Sequence, residues 1–183
     1  MPSIDDIAAE YVERAAALDP CYATTAGIAG HDHELPDLGA DGFAGRAGLD
    51  RSTLAALDAA EAPDPREQVA RAAMRERLAL TAECYDAGDT TSELNTINSW
   101  VQRVREVFDL MPTEGEEAAA NIVKRMAAVP RAYRQLSATL LDAARDGRSA
   151  ARRQVEEAVG QCAAWAKPGG TCRYRTPWRT GRA

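Results

Sequence analysis

The sequence predicts an all-α protein, with about seven amphipathic helices in an irregular helical bundle and an unstructured C-terminal tail. Hydrophobic residues make up 45% of the 183 residues, much of this share is alanine, and aromatic residues reach only 5%. Apolar residues recur every three or four positions, which is the spacing of one face of a helix. Runs of Val, Ile, Tyr and Phe, which favour strands, are missing. No internal repeat favours a solenoid.

The first predicted helix opens with Ser3 and Asp6, which resemble a capping pair. The dipeptide Asp19-Pro20 ends this helix, because a residue before proline is pushed out of the helical region. Four glycines and a proline between positions 27 and 42 predict a loop. The apolar face of the helix has seven members: Ile4, Ile7, Ala8, Tyr11, Val12, Ala15 and Leu18.

Two further helices are predicted in the first half of the chain. The second spans about 41–60 and turns Phe43, Leu54 and Leu57 inward. The third begins at Asp64-Pro65, an N-cap followed by the residue preferred at the first helical position. Gly88 is its expected terminator, just after Ala87.

The strongest apolar stripe, from Ile97 to Met111, predicts a fourth helix that Pro112 ends. Thr113 and Glu116 then have the spacing of a capping box for a fifth helix. Pro130 is expected to break the chain into a sixth helix. The seventh helix carries a final apolar stripe: Val155, Ala158, Val159, Cys162 and Trp165.

Charge divides the chain into an acidic body and a basic tail. The whole chain has 22 basic and 28 acidic residues. Five of the basic residues and none of the acidic ones lie in 167–183, so the net charge of the first 166 residues is −11. An acidic body repels phosphate backbones, which excludes nucleic acid as an expected partner. The five tail residues are Lys167, Arg173, Arg175, Arg179 and Arg182.

The start of the chain and its cysteines predict a cytoplasmic protein. The first residues lack the basic and apolar regions of a signal peptide, and no apolar run is long enough for a membrane span. The four cysteines have no CxxC spacing and are interpreted as reduced thiols. We therefore expect no membrane partner.

His31 and His33, with the neighbouring Asp32 and Glu34, have the right atoms to bind a metal. One loop supplies too few fixed ligands, so the sequence favours exposed histidines instead. The glutamates at 114–117 are explained by the positive end of a helix dipole. Arg152-Arg153 is interpreted as a solvated helix face, and Trp100 and Trp165 as core residues rather than the walls of a ligand pocket.

No enzyme motif is present in the sequence. It lacks the HExxH helix of metallopeptidases, the GxSxG nucleophile elbow, and the GxxxxGK and GxGxxG phosphate loops. Sequence reasoning therefore assigns no catalytic, cofactor-binding or metal-binding residue. Whether the chain is an enzyme stays open at this point.

Three segments resemble one bacterial family, the "domain of unknown function" family eight-eight-five. They are Ile7–Leu38, with its helix, Asp-Pro, glycine loop and Leu-Pro-Asp; Phe108–Leu136, which begins FDLMPTEGEE; and Gly147–Ala166. The resemblance covers about residues 4–166. It implies a zincin-like metallopeptidase whose zinc-binding HExxH helix lies far downstream. No zinc ligand or cofactor is thereby implied within this chain.

The resemblance and the change in composition near Trp165 suggest that 1–166 is the helical N-terminal portion of a larger metallopeptidase-like fold. Residues 167–183 are rich in Arg, Gly, Pro and Thr, which is the composition expected when GC-rich DNA is translated out of frame. The hypothesis is a frameshift near codon 166 that leaves an inactive fragment. Such a fragment should expose apolar helix faces at 97–111 and 155–162, and it should either self-associate or form a loosely packed monomer.

Two alternatives remain open from the sequence. The first is a self-sufficient helical module that binds a partner helix through its acidic surface or an apolar groove. The second is a metal-dependent enzyme that uses His31 and His33 with carboxylates brought near by folding.

Overall fold

The computed structural model describes residues 2–167, and this part of the chain contains eight helices and no strand. The predicted all-α fold class is therefore confirmed. Apart from Lys167, the predicted tail lies outside the described residues. The helices are α1 (Ile4–Leu18), α2 (Pro20–Thr25), α3 (Ala40–Ala59), α4 (Pro65–Asp86), α5 (Asp89–Ser92), α6 (Trp100–Leu110), α7 (Glu116–Arg145) and α8 (Arg152–Trp165).

The predicted starts of α1 and α4 are confirmed. The Ser3 hydroxyl oxygen accepts the backbone N–H of Asp6 at 3.1 Å, and the Asp6 carboxylate accepts the N–H of Ser3 at 3.0 Å. At α4, Asp64 Oδ1 accepts the N–H of Glu67 at 2.9 Å. Side-chain caps satisfy N–H groups that have no partner inside the helix.

Pro20 ends α1 as predicted, but it also begins a short helix where no helix was predicted. The Asp19 carboxylate accepts the N–H of Tyr22 at 3.0 Å and caps α2. Proline suits the first position of a helix because its missing N–H would have no partner there anyway. One residue pair therefore serves as the end of one helix and the start of the next.

The predicted break at Pro130 is wrong, because α7 is one helix of 30 residues with Pro130 in its interior. An internal proline costs a helix about 3 kcal/mol. Ala132 and Leu136, just beyond it, are buried in the core, and their packing holds this segment in line. The predicted capping box of Thr113 and Glu116 is also wrong. The N-cap is Gly115, whose φ of +92° lies in the region that favours glycine.

The helix predicted from Ile97 begins three residues later. Ser99 is the N-cap of α6, and its N–H and hydroxyl both donate to Gln102 Oε1, at 2.9 and 2.6 Å. Ile97 lies before this cap and is 82% exposed. The apolar periodicity continued into the loop, whereas the capping residues fixed the true start of the helix.

Two apolar clusters hold the helices together. The smaller one lies where α1, α3 and α4 meet and includes Ile4, Ile7 and Leu57. The larger one joins α2, α3, α6 and α7 and contains Trp100, whose ring lies edge-on to Phe43 at 6.3 Å. None of the helices within residues 2–167 is long and apolar enough to cross a membrane.

Candidate functional site

An apolar groove of about 1200 Å³ lies between α6, α7 and α8. Helical spacing brings its lining to one side of each helix, since residues three and four apart share a face. The α6 wall includes Val104 and Phe108, the α7 wall Met126, Leu140 and Leu141, and the α8 wall Val155, Val159 and Trp165. We call this surface the α6–α8 groove.

Several apolar side chains of the groove face solvent. Val159 is 63% exposed and Leu141 58% exposed, and Val155 and Met126 are also exposed. The prediction of an exposed apolar face on 155–162 thus agrees with the structure. On 97–111 it is wrong for most of the stripe, because Trp100, Val101, Val104, Val107 and Met111 are buried in the core.

Helix α8 is attached at one side of the groove. Gln161 Nε2 donates to the Thr96 carbonyl at 3.1 Å, and Gln102 Nε2 donates to Gln161 Oε1 at 2.8 Å. Trp165 packs against the larger apolar cluster, so the sequence interpretation of Trp165 as a core residue holds only in part: it is partly buried and also lines the groove. Trp100 is a core residue as predicted.

Few polar groups border the α6–α8 groove. Arg105 forms an ion pair with Asp109, with Nη2 and Oδ1 3.2 Å apart. The Tyr133 hydroxyl donates to the Val101 carbonyl at 2.9 Å, and burial raises its pKa. Burial also raises the pKa of the Cys162 thiol. Because the phenolate and the thiolate are the nucleophilic forms, the raised pKa values disfavour nucleophilic attack by either group at neutral pH.

A second cavity, of about 300 Å³ and lined by both apolar and charged side chains, lies where helices α1 to α5 meet, and we call it the α1–α5 cavity. The Tyr11 hydroxyl donates to Asp50 Oδ1 at 3.1 Å. Arg46 Nη1 donates to the Asp37 carbonyl at 3.0 Å. Burial raises the pKa of the carboxyl groups of Asp50 and Asp19, and burial lowers the pKa of Arg46.

The loop that carries His31 and His33 is arranged around a buried arginine of α7. Arg125 is completely buried, and its Nε donates to the Glu34 carbonyl at 2.8 Å. Its Nη2 donates to the His31 carbonyl at 2.7 Å, and its Nη1 to the Thr24 hydroxyl at 3.0 Å. The loop thus directs backbone carbonyls toward Arg125. Its two histidines are half-buried, with the side chain of His31 24% and that of His33 41% exposed, so the expectation of exposed histidines holds only in part.

The two histidines approach a single carboxylate. His31 Nδ1 lies 3.9 Å and His33 Nε2 3.4 Å from oxygens of Glu34. No group of three or more His, Cys, Asp or Glu side chains within residues 2–167 could hold a metal ion. Zinc sites use three or four protein ligands, so the described residues do not fit zinc.

The other charged residues weighed in the sequence have ordinary surroundings. Glu116 and Glu117 lie in the first turn of α7, where the helix dipole favours negative charge. Arg152 forms an exposed ion pair with Glu156 at 2.7 Å, in agreement with a solvated helix face.

Sequence reasoning missed Arg46, Asp50 and Arg125. For Arg125 a signal was present, because it occupies the heptad position between two buried alanines of the same helix face, Ala118 and Ala132. A charged residue at such a position indicates a buried polar contact. Arg46 and Asp50 gave no comparable signal, since a charged pair four residues apart usually marks an exposed helix face.

The fold and the α6–α8 groove define a helical protein with an apolar surface groove. Within residues 2–167, no site gathers the ligands of a metal enzyme. The chain belongs to a family of bacterial proteins of unknown function (DUF885), whose sequence model matches residues 20–175. No curated protein matches the chain.

The family match includes residues 167–175, which the frameshift hypothesis assigns to the out-of-frame tail. The frameshift itself stays a prediction. Sequencing the gene through codon 166 and translating all three forward frames tests it. A metallopeptidase-like HExxH sequence in another frame would support the hypothesis, and its absence would contradict it.

Proposed function

We propose that this chain is the peptide-binding helical portion of a metallopeptidase-like protein, and that by itself it binds peptides without cleaving them. The observation that carries the proposal is the α6–α8 groove, which is open, has a volume of about 1200 Å³ and is lined mainly by apolar side chains. The sequence resemblance to zincin-like proteins supports the choice of a peptide as the occupant.

The size of the groove favours a peptide over a small molecule. Sites for small molecules usually have volumes of about 300–1,000 Å³, and the groove exceeds this range at about 1200 Å³. Burying apolar surface contributes about 25 cal/mol per Å². Several large apolar side chains of a peptide could therefore bind together, and the Arg105–Asp109 pair at the edge could contact its backbone.

The groove also favours binding over catalysis. The titratable groups that border it include one ion pair and two groups, Tyr133 and Cys162, whose pKa values are raised by burial. Hydrolysis of a peptide requires an activated nucleophile or water and a general base. In the proposal, the metal centre of the zincin-like proteins that the chain resembles supplies these groups, and the helices of this chain supply one wall of the substrate channel.

The second candidate is the self-sufficient module that binds a partner helix. The observation that favours it is the exposed Val155 and Val159 on α8, four residues apart, since an amphipathic helix presents its own apolar residues at this spacing. The two candidates use the same groove and differ in the bound conformation of the peptide.

Val159→Glu tests the groove without disturbing the core, because Val159 is exposed. The matched control is Val69→Glu on α4, which is 69% exposed and lies outside the groove. Binding is measured by fluorescence anisotropy with two labelled peptides, a leucine-rich amphipathic helix and an extended peptide of the same composition with proline inserted. We expect Val159→Glu to weaken peptide binding by about tenfold or more, and Val69→Glu to leave it unchanged.

The same peptides distinguish the outcomes. Preference for the extended peptide supports the peptidase-like wall, and preference for the helical peptide supports the module. Equal effects of the two variants, or self-association of the chain in place of peptide binding, would contradict the proposal. Cleavage of either peptide by the purified chain in the presence of zinc would also contradict the proposal and would favour a metal enzyme. If replacing both His31 and His33 abolished that cleavage, the activity would be assigned to these two residues.

A further inference from the structure

The α1–α5 cavity contains two opposite charges that are close together but do not pair with each other. Arg46 and Asp50 are four residues apart on α3, so their side chains leave the same face of the helix about 5–6 Å apart at Cβ. Such a pair would ordinarily form an ion pair. Here each side chain is held by a different neighbour.

The Arg46 side chain is held by two aromatic rings and one backbone carbonyl. Its guanidinium lies over the rings of Phe43 and Trp100, at 4.5 and 5.2 Å from their centroids, and its Nη1 donates to the Asp37 carbonyl. Its Nη2 is shielded from solvent and has no hydrogen-bond partner in the described part of the chain. A buried donor without an acceptor costs about 1–3 kcal/mol. The site therefore gains if an acceptor reaches this side chain.

Asp50 is held from the other side of the cavity. It is buried at 5% exposure, and one carboxylate oxygen accepts the Tyr11 hydroxyl. Burial disfavours its negative charge, as it disfavours the positive charge of Arg46. Opposite charges nearby, on Asp19 and Asp37 for Arg46 and on Arg51 for Asp50, act against these shifts but do not outweigh burial.

The walls of the cavity limit the size and kind of ligand. Its volume of about 300 Å³ is at the lower end for small-molecule sites. Tyr22 and Tyr85 line it together with Tyr11, and aromatic faces attract an ammonium group. The Arg51 guanidinium already lies over the Tyr85 ring, 5.5 Å from its centroid, so Tyr11 and Tyr22 are the rings offered to a ligand. Asp19 adds a second carboxylate to the lining.

We propose that the α1–α5 cavity binds a free α-amino acid as a zwitterion, with its carboxylate at Arg46 and its ammonium group at Asp50. A carboxylate matches the two parallel donors of a guanidinium, and in the proposal the Arg46 guanidinium turns so that Nη2, which is shielded from solvent, faces the ligand. The ammonium group of the same molecule reaches Asp50, one helical turn away. One ligand then compensates both buried charges.

The first test varies the ligand and leaves the protein unchanged. Thermal unfolding of the purified chain is measured with each standard amino acid at millimolar concentration, and the strongest ligand is taken to calorimetry with its amide and its N-acetyl derivative. At ten times its Kd the amino acid should raise Tm by roughly 3–6 °C. Each blocked derivative lacks one charge and should bind at least about tenfold more weakly.

The second test assigns the charges to residues. Arg46→Gln should weaken the free amino acid by about tenfold or more but leave the amide unaffected, because the amide has no carboxylate to lose. Asp50→Asn should weaken the free amino acid but not the N-acetyl derivative. Asp58→Asn and Arg75→Gln, which alter an exposed ion pair between α3 and α4, are the matched controls and should leave all affinities unchanged.

Three results would overturn the proposal. They are no binding of any standard amino acid to the unmodified chain, blocked derivatives that bind as tightly as the parent, and controls that weaken binding as much as the cavity variants. The first two do not depend on whether Arg46→Gln folds. The groove variant Val159→Glu should leave amino-acid binding intact, so this proposal can fail independently of the proposed function.

Discussion

Two arginines in the same molecule are enclosed in contrasting ways, because Arg125 is completely buried and Arg46 is half-buried. Arg125 lies at the junction of α7 with the 26–39 loop, and its guanidinium donates to three carbonyls and a hydroxyl. Arg46, beside the α1–α5 cavity, donates to one carbonyl and leaves Nη2 without a partner in the described chain. A buried charge is therefore not a functional signal by itself. The signal is hydrogen-bonding capacity that the surrounding chain does not use.

The contrast can be tested with one substitution at both arginines. Arg125→Met should lower the free energy of unfolding by at least about 3 kcal/mol, because it strands several inward-facing oxygens of the loop. In a chain of this size this corresponds to a fall in Tm of about 6–12 °C. Thermal and urea unfolding measure the change.

Arg134→Met provides the control for this prediction, since Arg134 is exposed on the same helix. It should change stability by no more than about 0.5 kcal/mol. A loss at Arg125 that is as small as at Arg134 would show that the loop keeps its structure without the buried cation, and the contrast between the two arginines would disappear.

Arg46→Met is expected to have the intermediate effect. The variant loses one hydrogen bond and the contacts of the cation with two rings, for a cost of no more than about 2 kcal/mol. Relief of the desolvated charge offsets part of this cost. The same unfolding experiments should rank it well above Arg125→Met in stability. The reverse order would mean that Arg46 is the structural residue and that its unpaired nitrogen is of no consequence.

The comparison also explains which features could be predicted from sequence. Capping at Ser3 and Asp64 is local, because donor and acceptor are three residues apart, and both helix starts were found. Continuation through Pro130 depends on packing by residues beyond it, so local preference gave the wrong answer. The α6–α8 groove could be predicted in part, since the exposed apolar face at 155–162 was expected correctly, whereas most of the stripe at 97–111 is buried and not exposed as expected.

The α1–α5 cavity could not be predicted, because its contacts join residues distant in sequence. Tyr11 and Asp50 are 39 residues apart, and Arg46 is shielded by Trp100 of another helix. From sequence, Arg46 and Asp50 look like an exposed pair on a helix surface. Only the packing of α1, α2 and α4 around α3 turns that surface into a cavity.

The smallest expected effect is a pH dependence that originates at Asp50. Burial is the main cause that raises the pKa of this carboxyl group in the folded chain, against the weaker opposing effects of Tyr11 and Arg51. The protonated form therefore favours folding. The contribution of Asp50 to stability is fully present below the unfolded pKa of about 3.9 and is lost as pH rises through the folded pKa.

Asp50→Asn removes this titration and keeps an oxygen that can accept the Tyr11 hydroxyl. The stability of the variant relative to the unmodified chain should rise as pH increases from acidic to neutral, as measured by urea unfolding at a series of pH values. Asp19, whose pKa burial also raises, is present in both proteins and cancels in the difference. The exposed Asp58→Asn should give a difference that does not rise in this way. If the Asp50→Asn difference is flat as well, burial does not penalise the charge at Asp50, and a ligand ammonium group would gain little by pairing with it.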